Sequence, residues 1–387
     1  MSKVIKLQDN NVYLPNKNKI YDTVFYKITR TANIPKPLRH KYAIISKKDN
    51  EENGFGAYLF FENDTPVFFE KKNSYVLNQS FSYLNNGDVI RLSSPNRIRV
   101  IFRKTLNTNY LMVTEQCNSF CIMCSQPPRN VDDSYIVDEF ISAIPYFDIS
   151  AKEIGITGGE PTLLGDKFFL LLDRLSSFLP YTSLHVLTNG KNLSNIDIAK
   201  KLPINRFKDL MFGIPLYSDR FETHDFIVQD PGAFNKTLDG IYKLKKAGHK
   251  VELRFVIQKY NVQEMVSFAQ FVTRNLQFVD QVAFMGLEAT GFAKSNIESV
   301  WAEPLDYINN LFEAIQILDK AFIDVKIFNH QLCLLPKELW RFNCQSISDW
   351  KNGFIESCST CSVKSQCGGF FTTSDRKIPM GIEPLVF

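Results

Sequence analysis

"VTEQCNSFCIMCSQPPRN", residues 113–130, places Cys117, Cys121 and Cys124 at spacings of four and three. Cysteines this close on one loop are ligands for zinc or for an iron–sulfur cluster. Structural zinc takes four closed ligands, and no histidine lies near; the nearest downstream is His185. Three thiolates instead suit three irons of a [4Fe-4S] cluster and leave the fourth iron open to a small molecule. The stretch follows "YLMVT" (110–114), an apolar run that reads as a strand. The thiols then stand at the C-terminal end of a first strand, where parallel α/β folds carry their sites.

Working outward, the same alternation of strand and helix periods continues downstream. Strands are expected at 153–157, 184–188, 210–216, 250–257 and 281–287, with a further one at 324–328. Helices are expected at 133–146, 166–178, 195–202, 234–247, 262–275 and 304–320. Six β/α units predict an α/β fold, a partial (β/α)6 TIM-like barrel short of the eight units of a closed one. Residues 1–105 show short alternating apolar runs broken by turn signals such as "NNGD" (85–88) and "SSPN" (93–96). They predict a small β-rich N-terminal domain, a barrel in its simplest form. The expected division is 1–105, the core at 106–322, and a cysteine-bearing C-terminal region at 323–387.

Composition narrows the function classes. A formal charge of +4 from 45 basic and 41 acidic residues leaves no dense basic stripe, so nucleic acid is not an expected partner. No apolar run is long enough for a membrane span, and "MSKVIKLQDNN" lacks an apolar signal core, so the expected compartment is the cytoplasm. Eight cysteines in that reducing compartment point to metal rather than to disulfides.

The second expected strand ends in "TGGEP", with Gly158, Gly159 and Glu160. Two residues without Cβ let the backbone approach a ligand closely and offer its carbonyls. With Cys-x3-Cys-x2-Cys on the preceding loop, the sequence resembles the radical SAM superfamily. The resemblance implies S-adenosylmethionine chelated at the open iron, reductive cleavage to methionine and a 5′-deoxyadenosyl radical, and hydrogen abstraction from a substrate. It also implies contacts to the cofactor: Gly158, Gly159 and Glu160 at its methionine part, and Thr188 and Asn189 in "TNG" (188–190). Ser218 would meet the ribose, Arg254 the carboxylate, and Met123, where relatives carry an aromatic residue, the adenine. An electron donor such as a flavodoxin or ferredoxin is an implied partner. Outside this set, His224-Asp225 reads as a loop pair bonding locally, His185 as a strand histidine, and Glu288 as a substrate contact at the mouth.

A second cysteine group, Cys358-x2-Cys361-x5-Cys367, ends in two glycines that permit a tight backbone wrap. Zinc uses such spacings too. Following a radical SAM core, the group resembles the auxiliary [4Fe-4S] sites of SPASM and twitch extensions. Its fourth ligand is Cys333, after the strand at 324–328, or Cys344; Cys333 is preferred because it enters from the sheet side. No cysteine follows Cys367, so a second full auxiliary cluster is not expected.

"TEQCNSFCIMCSQPP", "GITGGEPTLLG", "QSISDWKN" and "CGGFF" together resemble the C-type radical SAM maturases of the His-Xaa-Ser repeat system. That family implies modification of a ribosomally made peptide or protein rich in His-Xaa-Ser repeats, beside a second radical SAM maturase. Two rivals stand against it: a small-molecule radical SAM enzyme of the molybdopterin type, and a non-catalytic iron–sulfur or zinc protein. The last has no use for "GGEP" or an open iron.

Overall fold

The computed structural model describes residues 8–9, 23–46, 53–62, 73–93, 97–202, 204–345, 353–371 and 377–387. Most of "SSPN" and of "QSISDWKN" lies outside them.

Two sheets organise the chain. The first holds β1 (Gln8–Asp9), β2 (Val24–Thr29), β3 (Tyr42–Ile45), β4 (Ala57–Phe61), β5 (Ser74–Leu77), β6 (Val89–Ser93) and β7 (Arg97–Phe102), in the order β1-β7-β6-β2-β3-β4-β5. β6 and β7 form an antiparallel hairpin on which β2 lies antiparallel, and β3, β4 and β5 then add in parallel. The expected barrel is not what forms: among the described residues this is an open mixed sheet with β1 and β5 at its edges. Three parallel pairings of short strands cannot be closed by two-residue hairpin turns, unlike the antiparallel pairs that the turn signals suggested.

The second sheet contains β8 (Thr108–Met112), β9 (Glu153–Thr157), β10 (Ser183–Leu187), β11 (Leu210–Pro215), β12 (Lys250–Val256), β13 (Gln281–Met285), β14 (Asp324–Phe328) and β15 (Asn343–Cys344), paired in chain order and all parallel. Its edges are β8 and β15, so the α/β fold is a partial barrel, as expected. The C-terminal region does not simply become irregular, because β15 pairs with β14 and extends the sheet to eight strands.

The crossover helices are α1 (Tyr135–Ala143), α2 (Asp166–Phe178), α3 (Ile198–Lys201), α4 (Phe221–Val228), α5 (Ala233–Lys246), α6 (Met265–Asn275), α7 (Gly291–Ser295), α8 (Ile297–Val300) and α9 (Pro304–Lys320). Period-two burial sorts the strands' faces. Val251, Leu253 and Phe255 of β12 join the helix-side core, where Phe255 stacks near Phe268 of α6 and Phe284 of β13. Glu252, Arg254 and Val256 point to the inner face. Four helices depart from expectation: the short α7 and α8 fall where none was expected, and α3 and α4 differ as follows. The helix expected at 195–202 shrinks to α3, after a 3-10 turn over Lys191–Asn195, because Asp197 accepts from the Lys200 amide and starts the helix late. α4 was not expected at all: its "FETHDFIV" has little helical periodicity, yet it carries His224.

The first sheet leans on α1. Arg91 pairs with Glu139 at 2.6 Å, Lys104 with Asp148 at 2.9 Å, and Phe102 stacks on Phe147 at 4.7 Å, so Phe102 belongs to the main core. Among the described residues no helix is long and apolar enough to cross a membrane.

Two histidines are buried as neutral rings. His330, beyond β14, donates from Nδ1 to the Phe328 carbonyl and accepts at Nε2 from Tyr307 of α9, and burial lowers its pKa to about 4. His224 accepts the Tyr217 amide at Nδ1, and burial lowers it likewise to about 4. A depressed histidine pKa means that the unfolded chain binds more protons between about 6.5 and 4, so stability falls as pH drops through that window. Between pH 7 and pH 5 each ring should cost about 2 kcal/mol of stability. Urea unfolding at the two pH values measures the loss, and His330→Gln should shrink it.

Candidate functional site

The loop after β8 is tied down before it reaches its first cysteine. Val113 still donates to Thr157 of β9, at 2.8 Å. The Thr114 hydroxyl and the Glu115 amide then donate to the buried Asp133 carboxylate, and Gln116 donates to the Val131 carbonyl at 2.7 Å. Residues 114–133 therefore form a closed loop whose neck is hydrogen-bonded. Three outside elements hold its body. Phe120 and Ile122 donate to Val228 and Ile227 at the end of α4; Asn296 donates to the Ile122 carbonyl at 2.7 Å; Phe292 of α7 donates to the Cys124 carbonyl at 2.8 Å. Gly291 permits that last approach, since a Cβ there would stand 2.5 Å from the Cys124 oxygen.

"GGE" meets this loop directly. A Cβ on Gly158 would lie 2.6 Å from the Thr114 oxygen; one on Gly159 would lie 2.1 Å from the Gln116 oxygen and 3.0 Å from the Cys117 Cβ. Gly159 donates to Thr114 at 2.9 Å and Glu160 to Gln116 at 2.7 Å. The space that the sequence reading reserves for a ligand is thus taken, at these two Cβ positions, by the cysteine loop itself.

Glu160 is fully buried and used up by protein donors. Oε1 accepts from the Thr162 amide (2.9 Å), the Thr162 hydroxyl (2.5 Å) and the Thr188 hydroxyl (2.7 Å), and Oε2 from the Asn189 amide (2.6 Å). It ties the end of β9 to "TNG" after β10. Asn189 in turn donates to Asn118 at 2.7 Å, and Lys191 donates to the Asn118 carbonyl at 2.7 Å while pairing with Asp230. Asn118, Lys191 and Asp230 were not anticipated; the lysine follows "TNG", but its partner lies on another unit and leaves no periodic signal.

The other expected cofactor contacts are spread around the mouth. Met123 is buried with Tyr217, Val256 and Leu287. Ser218, after β11, donates to Glu264 at 2.5 Å and accepts from the Arg220 amide at 2.8 Å. Arg254 lies 3.5 Å from Glu252 and donates to the Met285 sulfur at 3.2 Å, so a ligand carboxylate would exchange for that weak sulfur contact. His185 is on β10, 3.6 Å from Glu252 on the inner face. His224-Asp225 is helical rather than looped: Asp225 accepts the Gly232 and Phe234 amides and starts α5. Glu288 is half-buried on the loop beyond β13.

Burial pushes all three thiols up. Cys121 reaches about 12, with Cys124 and Cys117 adding to it; Cys117 is raised by burial and Glu160, opposed by the Ser119 amide; Cys124 is raised by burial. Among the described residues no group of three or more His, Cys, Asp or Glu is tight enough to hold a single metal ion. The fit of a cluster therefore rests on the donors and the loop. Three thiols free of disulfides share one fixed loop, Cys121 is perturbed by the other two, Cys124 donates to the Gln126 carbonyl at 3.0 Å, and the neighbouring Ser119 hydroxyl is buried without a partner. That donor set fits a polynuclear iron–sulfur group, whose binding would displace the thiol protons.

Residues 111–272 match the model of the Radical SAM superfamily. This segment is a radical SAM domain. It runs from β8 through α6 and contains the cysteine loop, "GGE", "TNG", Ser218 and Arg254. The family implies a [4Fe-4S] cluster and S-adenosylmethionine. Similar curated proteins include a GTP 3′,8-cyclase of Aliarcobacter butzleri, 30% identical over 182 residues (43% of this chain, 54% of that one). Another is the Fe-coproporphyrin III synthase of Methanosarcina barkeri, 27% identical over 164 residues (40% and 37%). The chain thus spans about half or less of the length of these two relatives. Among solved structures, Streptococcus suis SuiB is 13% identical with a TM-score of 0.43, covering 59% of this chain and 50% of that one.

The second cysteine group gathers at the far side of the mouth. Cys333 is raised by burial and by Cys367 and Cys358, and Cys358 by burial, Cys367 and Cys361, so these four thiols share one neighbourhood. The Leu332 and Gly369 amides donate to the Cys367 sulfur. Cys344 is elsewhere: beside Phe328 in register, with Lys326, Asp324 and Glu252 as its charged surroundings. Beside this group lies a shallow groove bounded by Leu287, Trp301, Asn329, Gln331, Gly368 and Gly369.

Gly159→Ala tests the packing of "GGE" on the loop. Its added methyl meets backbone rather than a movable side chain, so anaerobically reconstituted protein should carry less than half the wild-type iron and sulfide and melt several degrees lower.

Proposed function

We propose that the protein is a radical SAM enzyme that modifies a ribosomally synthesised peptide or protein, a His-Xaa-Ser repeat protein in the reading that its motifs support best. The observation that carries the enzymatic part is the three-cysteine loop hydrogen-bonded to both "GGE" and "TNG". Cys117, Cys121 and Cys124 hold the cluster, which when loaded with S-adenosylmethionine supplies a 5′-deoxyadenosyl radical for hydrogen abstraction. Gly158, Gly159 and Glu160 set the height of the loop over the mouth. Thr188 and Asn189 fix its flank, Met123 closes the apolar wall, and Ser218 and Arg254 stand where the ribose and carboxylate would be read.

The groove at Leu287, Trp301 and Gly368 is the substrate's place in this reading, with Glu288 on the adjoining loop. Cys333, Cys358, Cys361 and Cys367 hold an auxiliary [4Fe-4S] cluster beside it. The first sheet (residues 1–105) guides the substrate or docks a second radical SAM maturase, the core (106–322) does the chemistry, and residues 323–387 carry the auxiliary site. A flavodoxin or ferredoxin supplies the electron in the cytoplasm.

The named activity of the GTP 3′,8-cyclase relatives favours a second reading, a small-molecule radical SAM enzyme sharing the same core. The two readings part on substrate, and both need S-adenosylmethionine cleavage. Reconstituted protein with dithionite should release 5′-deoxyadenosine, and replacing Cys117, Cys121 and Cys124 by Ala should abolish it. An intact cluster without cleavage would sink both readings. Mass analysis of a co-expressed His-Xaa-Ser repeat protein then separates them, a changed peptide mass supporting the first and GTP consumption the second.

The auxiliary site has its own check. Cys333→Ser should remove about half of the iron bound, and Cys344→Ser should leave iron content within error of wild type. The reverse pattern would move the fourth ligand to Cys344.

A further inference from the structure

We infer that Lys191 is a positioning residue which, through its pairing with Asp230, sets the charge felt by the cluster that Cys117, Cys121 and Cys124 hold, and with it the ease of that cluster's reduction; this rests on the cluster assignment above. Lys191 follows Gly190, whose φ of 79° turns the chain back toward the cysteine loop. The lysine is only 5% exposed. Its ammonium reaches the carbonyl of Asn118, the residue next to Cys117, at 2.7 Å and completes its contacts on the Asp230 carboxylate.

A buried lysine is expensive unless paired, and packing alone would be served as well by an apolar chain of similar length. What the ammonium adds is a fixed positive charge and one donor aimed at the span between two cluster ligands. Asn118, whose carbonyl it holds, lies one residue from Cys117 and three from Cys121 along the loop. A cluster bound by three thiolates becomes more negative by one charge when an external donor reduces it. A cation beside it favours that reduced form, and net charge and hydrogen bonding near the sulfurs are what set such potentials. Asp230 acts in the opposite sense, but its carboxylate is partly exposed and therefore better screened. The ion pair is oriented, positive end inward.

The same lysine positions the loop. Asn118 is held by three groups of one turn: its carbonyl by Lys191, and its side chain by Asn189 at 2.7 Å and Asn192 at 3.2 Å. The end of α4, just before Asp230, receives the Phe120 and Ile122 amides. Lys191 thus joins the two elements that clamp the loop on either side.

The test compares wild type, Lys191→Met, Asp230→Asn and the double variant, each reconstituted anaerobically, with iron and sulfide counted. The midpoint potential is read by EPR-monitored titration on the signal that changes when S-adenosylmethionine is added. Lys191→Met should lower the potential and Asp230→Asn should raise it. The Lys191→Met shift is on the order of tenfold in the one-electron equilibrium, about 59 mV, and the Asp230→Asn shift is smaller. The double variant should return toward wild type. A purely structural role would give shifts of one sign, or none, at unchanged iron content, and either result overturns the inference. If Lys191→Met fails to assemble, Asp230→Asn, which keeps the Lys191–Asn118 bond, decides the charge effect alone. A wild-type protein that takes up no cluster at this loop overturns the cluster assignment itself.

Discussion

The approach of the β9 end to the cysteine loop governs the geometry of the site. With Gln116 oxygen where a Gly159 Cβ would stand, and Thr114 oxygen where a Gly158 Cβ would stand, the two segments share backbone hydrogen bonds instead of side-chain contacts. Backbone contact leaves little room for adjustment, because neither partner has a rotamer to change. The thiols are therefore held at a height fixed by the sheet register. Glu160 extends the constraint sideways by accepting from β9's own turn and from "TNG" after β10. Three consecutive strand ends thus become one rigid rim, and the cysteine loop is its first member.

What could be read from the amino acids follows the range of the interaction that carries it. The parallel fold was legible because each strand and helix shows its own period, and the thiols because their spacing is local. α4 escaped because "FETHDFIV" owes its helix to tertiary anchors, His224 against Tyr217 and Asp225 at the start of α5. The lumen's polar inventory was half visible. Arg254 and Glu252 share a face of β12 by their spacing of two, but His185 joins Glu252 only when β10, β11 and β12 align in register. The Lys191–Asp230 pair is illegible for the same reason, since two separate β/α units must meet before an ammonium so placed makes sense.

The C-terminal cysteines show the sheet extending its control past the radical SAM domain. β14 sets the start of the segment that carries His330, Gln331 and Cys333, and the bond from His330 to Tyr307 pins that segment to α9. Gln331 then donates to Gly369 at 2.7 Å, which draws the Cys367 end of the second group onto the same segment. β15 takes Cys344 in another direction, into the lumen beside Phe328. Cys333 and Cys344, equal candidates by spacing, are thus separated by strand geometry.

The two cysteine groups share one scaffold. The first is anchored to the ends of β8, β9 and β10, the second to the end of β14, and both anchors belong to one continuous parallel sheet. A groove beside the second group is bounded by Gly368 and Gly369 and by Leu287 and Trp301. Leu287 also packs in the apolar cluster that holds Met123 and Cys121. The groove's wall and the cysteine loop therefore share one apolar cluster, which joins the loop beyond β13 to the surroundings of the thiols.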